Sequence, residues 1–246
     1  MTPVAWLLAA AIGLALGLLG GGGSILTVPV FTYLLHYEPK QAIAMSLPVV
    51  GTAALAGAMA ALARGTLPLG PALVMGPATM VGSYAGAWAA SWIGGRTQLL
   101  LLAVIMLSAA AGMWQRSRAP VVWKAAPQPH PSLVVAIGLA VGMLTGLVGI
   151  GGGFLIVPAL VIAGGLSMQR AASASLLVIA MSASAGLAGY VGRVAFDWQV
   201  VWLFAAVASV GVITGGYLSG RVPAVRLQQA FAALLVVIAT YMLVRS

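Results

Sequence analysis

The sequence predicts an all-α polytopic membrane protein built from two homologous repeats. Of its 246 residues, 62% are hydrophobic and only 5% are charged, whereas soluble domains carry about 25% charged residues. Polar breaks divide it into apolar blocks, many near the roughly 20 residues that a membrane-spanning helix needs. A glycine-rich stretch also occurs twice, as GLLGGGGSILTVPV at residues 17–30 and GLVGIGGGFLIVPA at residues 146–159.

The apolar blocks predict four to five helices in each half of the chain. They cover residues 4–20, 25–36, 41–63, 69–94, 97–115, 132–148, 154–164, 169–192, 198–220 and 225–244. A proline-rich segment that contains Arg116, Arg118 and Lys124 separates the halves. We therefore divide the chain into a first transmembrane repeat (1–115), a basic linker (116–131) and a second transmembrane repeat (132–246). The linker is expected on the cytoplasmic side, which positive charge favours.

A shift of 129 positions aligns the two halves. Eight of the fourteen residues in the glycine-rich stretch are then identical, and outside it Ser46 meets Ser175 and Arg64 meets Arg193. Single matches between apolar segments are expected by chance. The ordered series of Gly, Pro, Ser and Arg indicates a duplication.

The orientation of the repeats depends on the path of the chain at the glycines. If residues 4–36 form one broken span, the repeats are parallel, and the loop cations divide six against five between the two sides. If the chain turns back, the repeats are inverted, and the cations divide seven against four with the linker on the richer side. Block 25–36 favours the turn, because it would rise only about 18 Å as a helix against about 30 Å of hydrocarbon. We then expect the N-terminus outside.

The two glycine turns are the candidate substrate site. Irregular backbone at membrane depth must be buried in protein or line a cavity, so we expect the turns to face each other near the midplane. A helix beginning at Ser24 or Gly153 would present free N–H groups and a partial positive charge to an anion. Glycine lets a ligand approach that backbone closely, and Ser24 can cap its own helix.

Hydroxyl and guanidinium groups complete the candidate site. Ser46 and Ser175 are repeat mates whose hydroxyls can donate to an oxyanion, and Arg64 and Arg193 are weaker candidates for drawing anions into two vestibules. For every hydroxyl, a bond to its own helix is the alternative. The predicted substrate-binding residues are Gly20, Gly21, Gly22, Gly23, Ser24, Ser46, Gly149, Gly151, Gly152, Gly153 and Ser175. Weaker hydroxyl candidates are Thr27, Thr52, Ser173, Ser182 and Ser184.

Glycine also permits close packing of membrane helices. We assign that role to two repeated pairs, Gly82 with Gly86 and Gly211 with Gly215. Asp197 is expected to pair with Arg193, four residues earlier.

The composition also excludes several classes of function. The chain has no cysteine and no cluster of His, Asp and Glu at ligand spacing, so we expect no enzyme activity, no metal and no cofactor. The Lys and Arg residues lie between apolar segments as topology signals, so no nucleic acid is expected. The expected partners are a small anionic substrate and the lipid bilayer, with a homodimer left open.

The paired motifs resemble those of the TauE/SafE, or sulfite exporter-like, family of permeases. Each half opens with a GxxGxGGGxxxxP-like motif and continues with a Ser-Leu segment, AMSLPVV or ASASLLV. The first copy departs in having Gly21 and Ser24 where the second has Ile150 and Gly153. The resemblance implies transport of sulfite, sulfoacetate or related sulfonates across the bacterial cytoplasmic membrane. A passive anion channel and a non-transporting membrane scaffold are the alternatives.

Overall fold

The computed structural model describes residues 3–118, 131–149, 153–162, 164–219 and 224–245, which are helical and contain no strand. The helices of the first half are α1 (Pro3–Leu19), α2 (Gly22–Leu34), α3 (Pro39–Ala63), α4 (Leu69–Ala89) and α5 (Gly95–Arg118). Those of the second half are α6 (Pro131–Val148), α7 (Gly153–Ile162), α8 (Met168–Tyr190), α9 (Trp198–Leu218) and α10 (Ala224–Arg245). Helices α4 and α9 both begin and end 129 positions apart, which matches the shift that aligns the two halves of the sequence.

Four helices of the described chain are long and apolar enough to cross a membrane. They are Pro39–Ala63, Gly95–Gly112, Gln169–Tyr190 and Trp198–Leu218. Further apolar helices are shorter, among them Trp6–Leu19 and Gly22–Leu34 on either side of the first glycine run. The chain is therefore a multi-pass helical membrane protein.

Helix α2 is irregular and deeply buried. It starts as a 3-10 turn at Gly22–Leu26, continues through Thr27–Pro29 and ends as a π-helical turn at Val30–Leu34. Glycine favours regular helix poorly, and Pro29 removes one N–H donor. All residues from 20 to 31 are buried, so the irregular backbone is shielded by protein, as the bilayer requires.

The two halves interlock through their first and fourth helices. Helix α1 packs on α9 and α6 packs on α4, while α3 packs on α8 and α5 on α10. Glycines make the first two contacts close. A Cβ at Gly82 or Gly86 would lie under 3.0 Å from the α6 backbone, and one at Gly211 or Gly215 would lie under 3.0 Å from the α1 backbone. The predicted role of these two glycine pairs in helix packing is confirmed.

Facing residues give the directions of the packed helices. Gly51 faces Ala183 and Gly57 faces Leu176. Residue numbers rise along α3 as they fall along α8, so these two helices run antiparallel. On α1 and α9, by contrast, Gly13 faces Ala208 and Gly17 faces Val212, so these helices run parallel.

The bundle has two distinct ends. We call the end with residues 64–68 and 169–170 the cavity face, since a cavity opens there. The other end, with residues 35–40, 91–95 and 191–197, is the opposite face; Lys40 Nζ donates to the Ser91 carbonyl there (3.4 Å). Exposed tryptophans also lie near the opposite face, where α4 ends and α9 begins, as expected at a membrane–water interface. They are Trp88, Trp92, Trp198 and Trp202.

Candidate functional site

The first glycine turn folds the chain back on itself. Gly20 and Gly21 have φ values of 69° and 153°, which residues with a Cβ rarely adopt. Beyond the turn, Gly23 packs so tightly on α1 that a Cβ there would overlap the Ile12 carbonyl. Helix α2 therefore runs back along α1, and the chain does not continue as one broken span.

The second turn lies directly against the first. Gly149 has a φ of 72°, and α7 begins at Gly153. A Cβ at Gly21 would fall on the backbone of Gly153, and a Cβ at Gly153 would fall on that of Gly21. The two turns thus meet backbone to backbone between the halves of the molecule, an approach that only glycine allows. Gly151 and Gly152, two of the predicted site residues, lie outside the described residues.

Two serines bridge the turns reciprocally. The Ser46 hydroxyl lies 2.5 Å from the carbonyl oxygen of Gly149, and the Ser175 hydroxyl donates to the carbonyl oxygen of Gly20. The two bonds are equivalent under the repeat, because the two serines are 129 positions apart and so are the two glycines that accept from them. Each oxygen is also within hydrogen-bond distance of a carbonyl in its own helix, Ile43 for Ser46 and Ala172 for Ser175. Both hydroxyls thus hold the turn of the other half in place.

At the start of α2, three amide groups have no acceptor among the described residues. The turn bonds run from the Gly20 N–H to Leu16 and from the Ser24 N–H to Gly21. In the described part of the chain, no acceptor is found for the N–H groups of Gly21, Gly22 and Gly23. All three residues are buried. Buried amide groups normally have a partner, so these three groups are candidate donors to a ligand.

The expected cap at Ser24 is wrong. Helix α2 begins two residues earlier, at Gly22, so Ser24 lies inside the first turn. Its hydroxyl donates to the Gly21 carbonyl at 2.7 Å. An N-cap side chain would instead accept a hydrogen bond from a backbone N–H.

A cationic cavity of about 1000 Å³ opens at the cavity face. Arg64 and Arg170 line it, and Arg64 lies over the Tyr217 ring at 4.6 Å from its centroid. No acidic residue is among the residues that line it, and the chain's two acids, Glu38 and Asp197, lie at the opposite face. Its other lining residues are Gly17, Leu18, Leu19, Gly65, Thr66, Leu67, Pro68, Gln169, Ala172, Ser173, Leu176, Gly216, Tyr217 and Ser219.

The deep end of the cavity reaches the neighbours of the first glycine turn. Gly17 to Leu19 directly precede Gly20, and a Cβ at Gly20 would overlap Ala172, another lining residue. The predicted residues Gly20 to Ser24 are themselves buried just behind this wall. Among the predicted site residues that the structure describes, Arg64 and the weaker candidate Ser173 line the cavity.

The corresponding space at the opposite face is filled. Gln98 Nε2 donates to the Leu147 carbonyl at 2.7 Å, and the Tyr190 hydroxyl donates to the Gly146 carbonyl at 3.0 Å. Gln98 and Tyr190 also contact each other at 3.3 Å. Arg193 lies exposed in the turn after α8 and is not a cavity residue. Within the described chain, the two halves of the site therefore differ in access.

The remaining hydroxyl candidates differ in whether they have a hydrogen-bond partner. Thr52, Ser182 and Ser184 donate to carbonyls of their own helices, the ordinary alternative for such residues. Thr27 is fully buried, and its hydroxyl has no hydrogen-bond partner among the described residues. Thr27, in the segment that follows the first turn of α2, thus carries a polar group without a partner among the described residues.

Asp197 does not pair with Arg193 as the sequence suggested. Its carboxylate caps α9 by accepting from the Val200 N–H at 3.2 Å, and it accepts from the Tyr37 hydroxyl at 2.7 Å. The bond from Tyr37 is the main cause that lowers the pKa of Asp197, and the Val200 bond adds to it. Burial raises the pKa of Tyr37 to about 12, and both the hydrogen bond to Asp197 and the negative charge of Asp197 add to this effect. The bond ties the loop after α2 to the start of α9.

Buried helix breaks, a cationic cavity and two halves that differ in access define the class of a membrane transporter. The family model described as "Sulfite exporter TauE/SafE" matches residues 5–242. The chain belongs to the TauE/SafE family of membrane transporters.

Curated relatives agree with this assignment. A "Probable membrane transporter protein" of Xylella fastidiosa (strain 9a5c) is 31% identical over 250 residues, covering 96% of this chain and 92% of the relative. The "Probable membrane transporter protein YdhB" of Bacillus subtilis (strain 168) is 27% identical, covering 89% of this chain and 91% of the relative. No solved structure matches the chain.

Proposed function

We propose that this transporter exports small sulfur-containing oxyanions, such as sulfite and sulfonates like sulfoacetate, by alternating access between two inverted repeats. The observation that carries the proposal is the cationic cavity, which runs from the cavity face to the wall of the first glycine turn. The family description supplies the sulfur oxyanion. Binding at the glycine turns, inverted topology and direction of flux are parts of the proposal.

Charge and hydrogen-bond donors favour an anion as the substrate. Arg64 and Arg170 supply positive charge at the cavity, and no acid opposes them among its lining residues. Beyond the cavity wall, the N–H groups of Gly21 to Gly23 point out of the start of α2 without an acceptor in the described chain. Free N–H groups at a helix start favour an oxyanion, and discontinuous helices bind anions in this way in other transporters.

Helix directions support inverted repeats. Helices α3 and α8 hold the same position in the two halves, and they pack antiparallel through Gly51 and Ala183. Helices α1 and α6 each pack on the fourth helix of the other half. An inverted duplication produces both features, whereas a parallel duplication would give α3 and α8 the same direction across the membrane.

Charge supports a cytoplasmic position for the cavity face. Arg64 and Arg170 lie there, and α5, which starts at the opposite face, ends at Arg118. Both acids lie at the opposite face. Positive charge favours the cytoplasmic side, so we place the protein in the bacterial cytoplasmic membrane with the cavity open inward. That state is ready to receive a substrate for export.

The membrane potential suffices to drive such export. An inside-negative potential expels an anion with about 2.3 kcal/mol per charge per 100 mV. No Asp or Glu occurs within a helix, because the two acids, Glu38 and Asp197, directly precede α3 and α9. A carboxylate proton relay is therefore not part of the proposed mechanism.

The experiment is voltage-driven flux from proteoliposomes. Sulfite or sulfoacetate is loaded, and a potassium diffusion potential is imposed across the membrane. We expect efflux that reverses with the sign of the potential. Arg64→Gln should raise the substrate concentration needed for half-maximal flux, while Arg96→Gln, an exposed cation at the opposite face, should not. Equal behaviour of the two variants would remove the cavity from the pathway, and absence of flux for both anions would remove the proposed substrates.

A further inference from the structure

We propose that Tyr190 is the gate that closes the site toward the opposite face. The inference rests on the proposed alternating access and adds the residue that decides which side is open. It follows from comparing each cavity residue with the residue 129 positions away in the other half.

The mates of the deep cavity residues are covered by two side chains. Gly17 and Leu18 line the cavity, and their mates are Gly146 and Leu147. The Gly146 carbonyl accepts from the Tyr190 hydroxyl, and the Leu147 carbonyl accepts from Gln98. The Tyr190 phenol therefore covers one of these carbonyls, and Ala61, the residue that aligns with Tyr190 in the first half, carries no such group.

Burial follows the same asymmetry. Ala172 and Ser173 on the cavity wall are partly exposed. Their mates Ile43 and Ala44 are both 0% exposed. Tyr190 itself is 4% exposed and belongs to the same buried cluster as Ile43 and Ala44.

The repeats differ at the gate position itself. The mate of Tyr190 is Ala61, a buried residue one turn before Arg64 at the cavity face. Alanine cannot reach the carbonyl of Gly17 as tyrosine reaches that of Gly146. The phenol occurs at this position in one half only, which fits one side being closed and the other open. Exchanging the two residues should therefore exchange the open side.

The absence of cysteine makes accessibility measurable with single cysteine probes. Ser173→Cys reports the cavity, and Ala44→Cys reports its buried mate. The protein is placed in lipid nanodiscs, which leave both faces open to a membrane-impermeant maleimide. With Tyr190 present, the Ser173→Cys probe should react and the Ala44→Cys probe should be protected.

Gate variants then shift the labelling. Tyr190→Ala should raise the labelling rate of the Ala44→Cys probe by about fivefold or more, the factor that one ordinary hydrogen bond is worth. Ala61→Tyr should lower labelling of the Ser173→Cys probe, and the double variant should reverse the pattern. Tyr84→Ala, which removes a tyrosine that is 53% exposed, is the matched control and should change neither rate.

Because the labelling needs no substrate, it tests the gate assignment separately from the proposed transport function. If the Ala44→Cys probe stays protected in folded Tyr190→Ala protein, the gate assignment is wrong while the proposed function stands. If Tyr190→Ala does not fold, the Ala61→Tyr variant tests the assignment instead. Unchanged labelling of the Ser173→Cys probe in that variant would overturn the assignment of Tyr190 as the gate. Equal labelling of both probes with Tyr190 in place would also overturn the gate assignment, because the opposite face would then be as open as the cavity face.

Discussion

Replacing Gly21 by alanine perturbs the closest approach between the two glycine turns. The φ of Gly21 is 153°, and a Cβ there would lie under 3.0 Å from backbone atoms of Gly153. Strained backbone costs about 1–3 kcal/mol, and overpacking of a tight interior costs about 1–3 kcal/mol. We therefore expect Gly21→Ala to lower the free energy of unfolding by about 2–6 kcal/mol.

Gly70→Ala is the matched control for this substitution. Gly70 lies exposed near the start of α4, and a Cβ there would meet nothing within 4 Å. Alanine at such a site leaves stability unchanged or raises it by up to about 1 kcal/mol. Unfolding in mixed micelles, followed by the fluorescence of the seven tryptophans, compares the two variants. Indistinguishable unfolding curves would refute the close packing of the two turns.

Three further predictions follow from other contacts. Ser46→Ala and Ser175→Ala should each lower the free energy of unfolding by about 1–3 kcal/mol, because a buried carbonyl in the glycine turn of the other half loses its donor. Variants as stable as the unsubstituted protein in the same micelle assay would contradict the reciprocal hydrogen bonds. Gly82→Val should destabilise the α4–α6 contact by about 1–3 kcal/mol through overpacking, while Gly112→Val, at a site where a Cβ would meet nothing within 4 Å, should not. Tyr37→Phe should lower the melting temperature at neutral pH, and this difference from the unsubstituted protein should vanish in acid. The pKa of Asp197 is lowered in the folded protein, so its carboxylate stabilises the fold at pH values above the ordinary aspartate pKa of about 3.9. That stabilisation is lost as the pH falls through the lowered pKa. A difference that persists unchanged in acid would show that the Tyr37 hydroxyl stabilises the fold independently of the Asp197 charge.

Much of the fold follows from local sequence. Each apolar block forms a helix because a bilayer leaves the backbone few other ways to satisfy its hydrogen bonds. The short block after the first glycine run predicts that α2 cannot span the membrane, and α2 lies buried against α1. The repeated pairs at Gly82 and Gly211 predict close helix contacts, because small residues are what such contacts require.

The partners of the polar groups follow from tertiary structure instead. Ser46 binds Gly149, 103 positions away, and the spacing of the serines within their own helices gives no sign of that partner. Asp197 is close to Arg193 in sequence, but the fold brings Tyr37 from the other half to it. Local spacing predicted the wrong partner because a partly buried hydroxyl from another helix reaches the carboxylate.

Of the site residues that sequence reasoning missed, Tyr190 and Arg170 differ from the residues that align with them, whereas Gln98 aligns with Gln228 after a one-residue insertion. Gln98 and Tyr190 fill one half-site, and Arg170 lines the other. An alignment of the two halves highlights residues that they share, so residues that differ between them are not selected as candidates. A tyrosine opposite Ala61 and an arginine opposite Gln41 are visible in the aligned sequence. Mismatches between duplicated halves are therefore a signal for asymmetric access.

We propose that the chain carries a small sulfur oxyanion through a site that is open to one side of the membrane at a time. Counterflow of radiolabelled sulfite into proteoliposomes at zero membrane potential tests it most directly. We expect saturable uptake of label that internal unlabelled sulfite accelerates, because a carrier returns faster when it is loaded. Uptake that rises linearly with sulfite concentration and ignores internal sulfite would contradict it and indicate a channel.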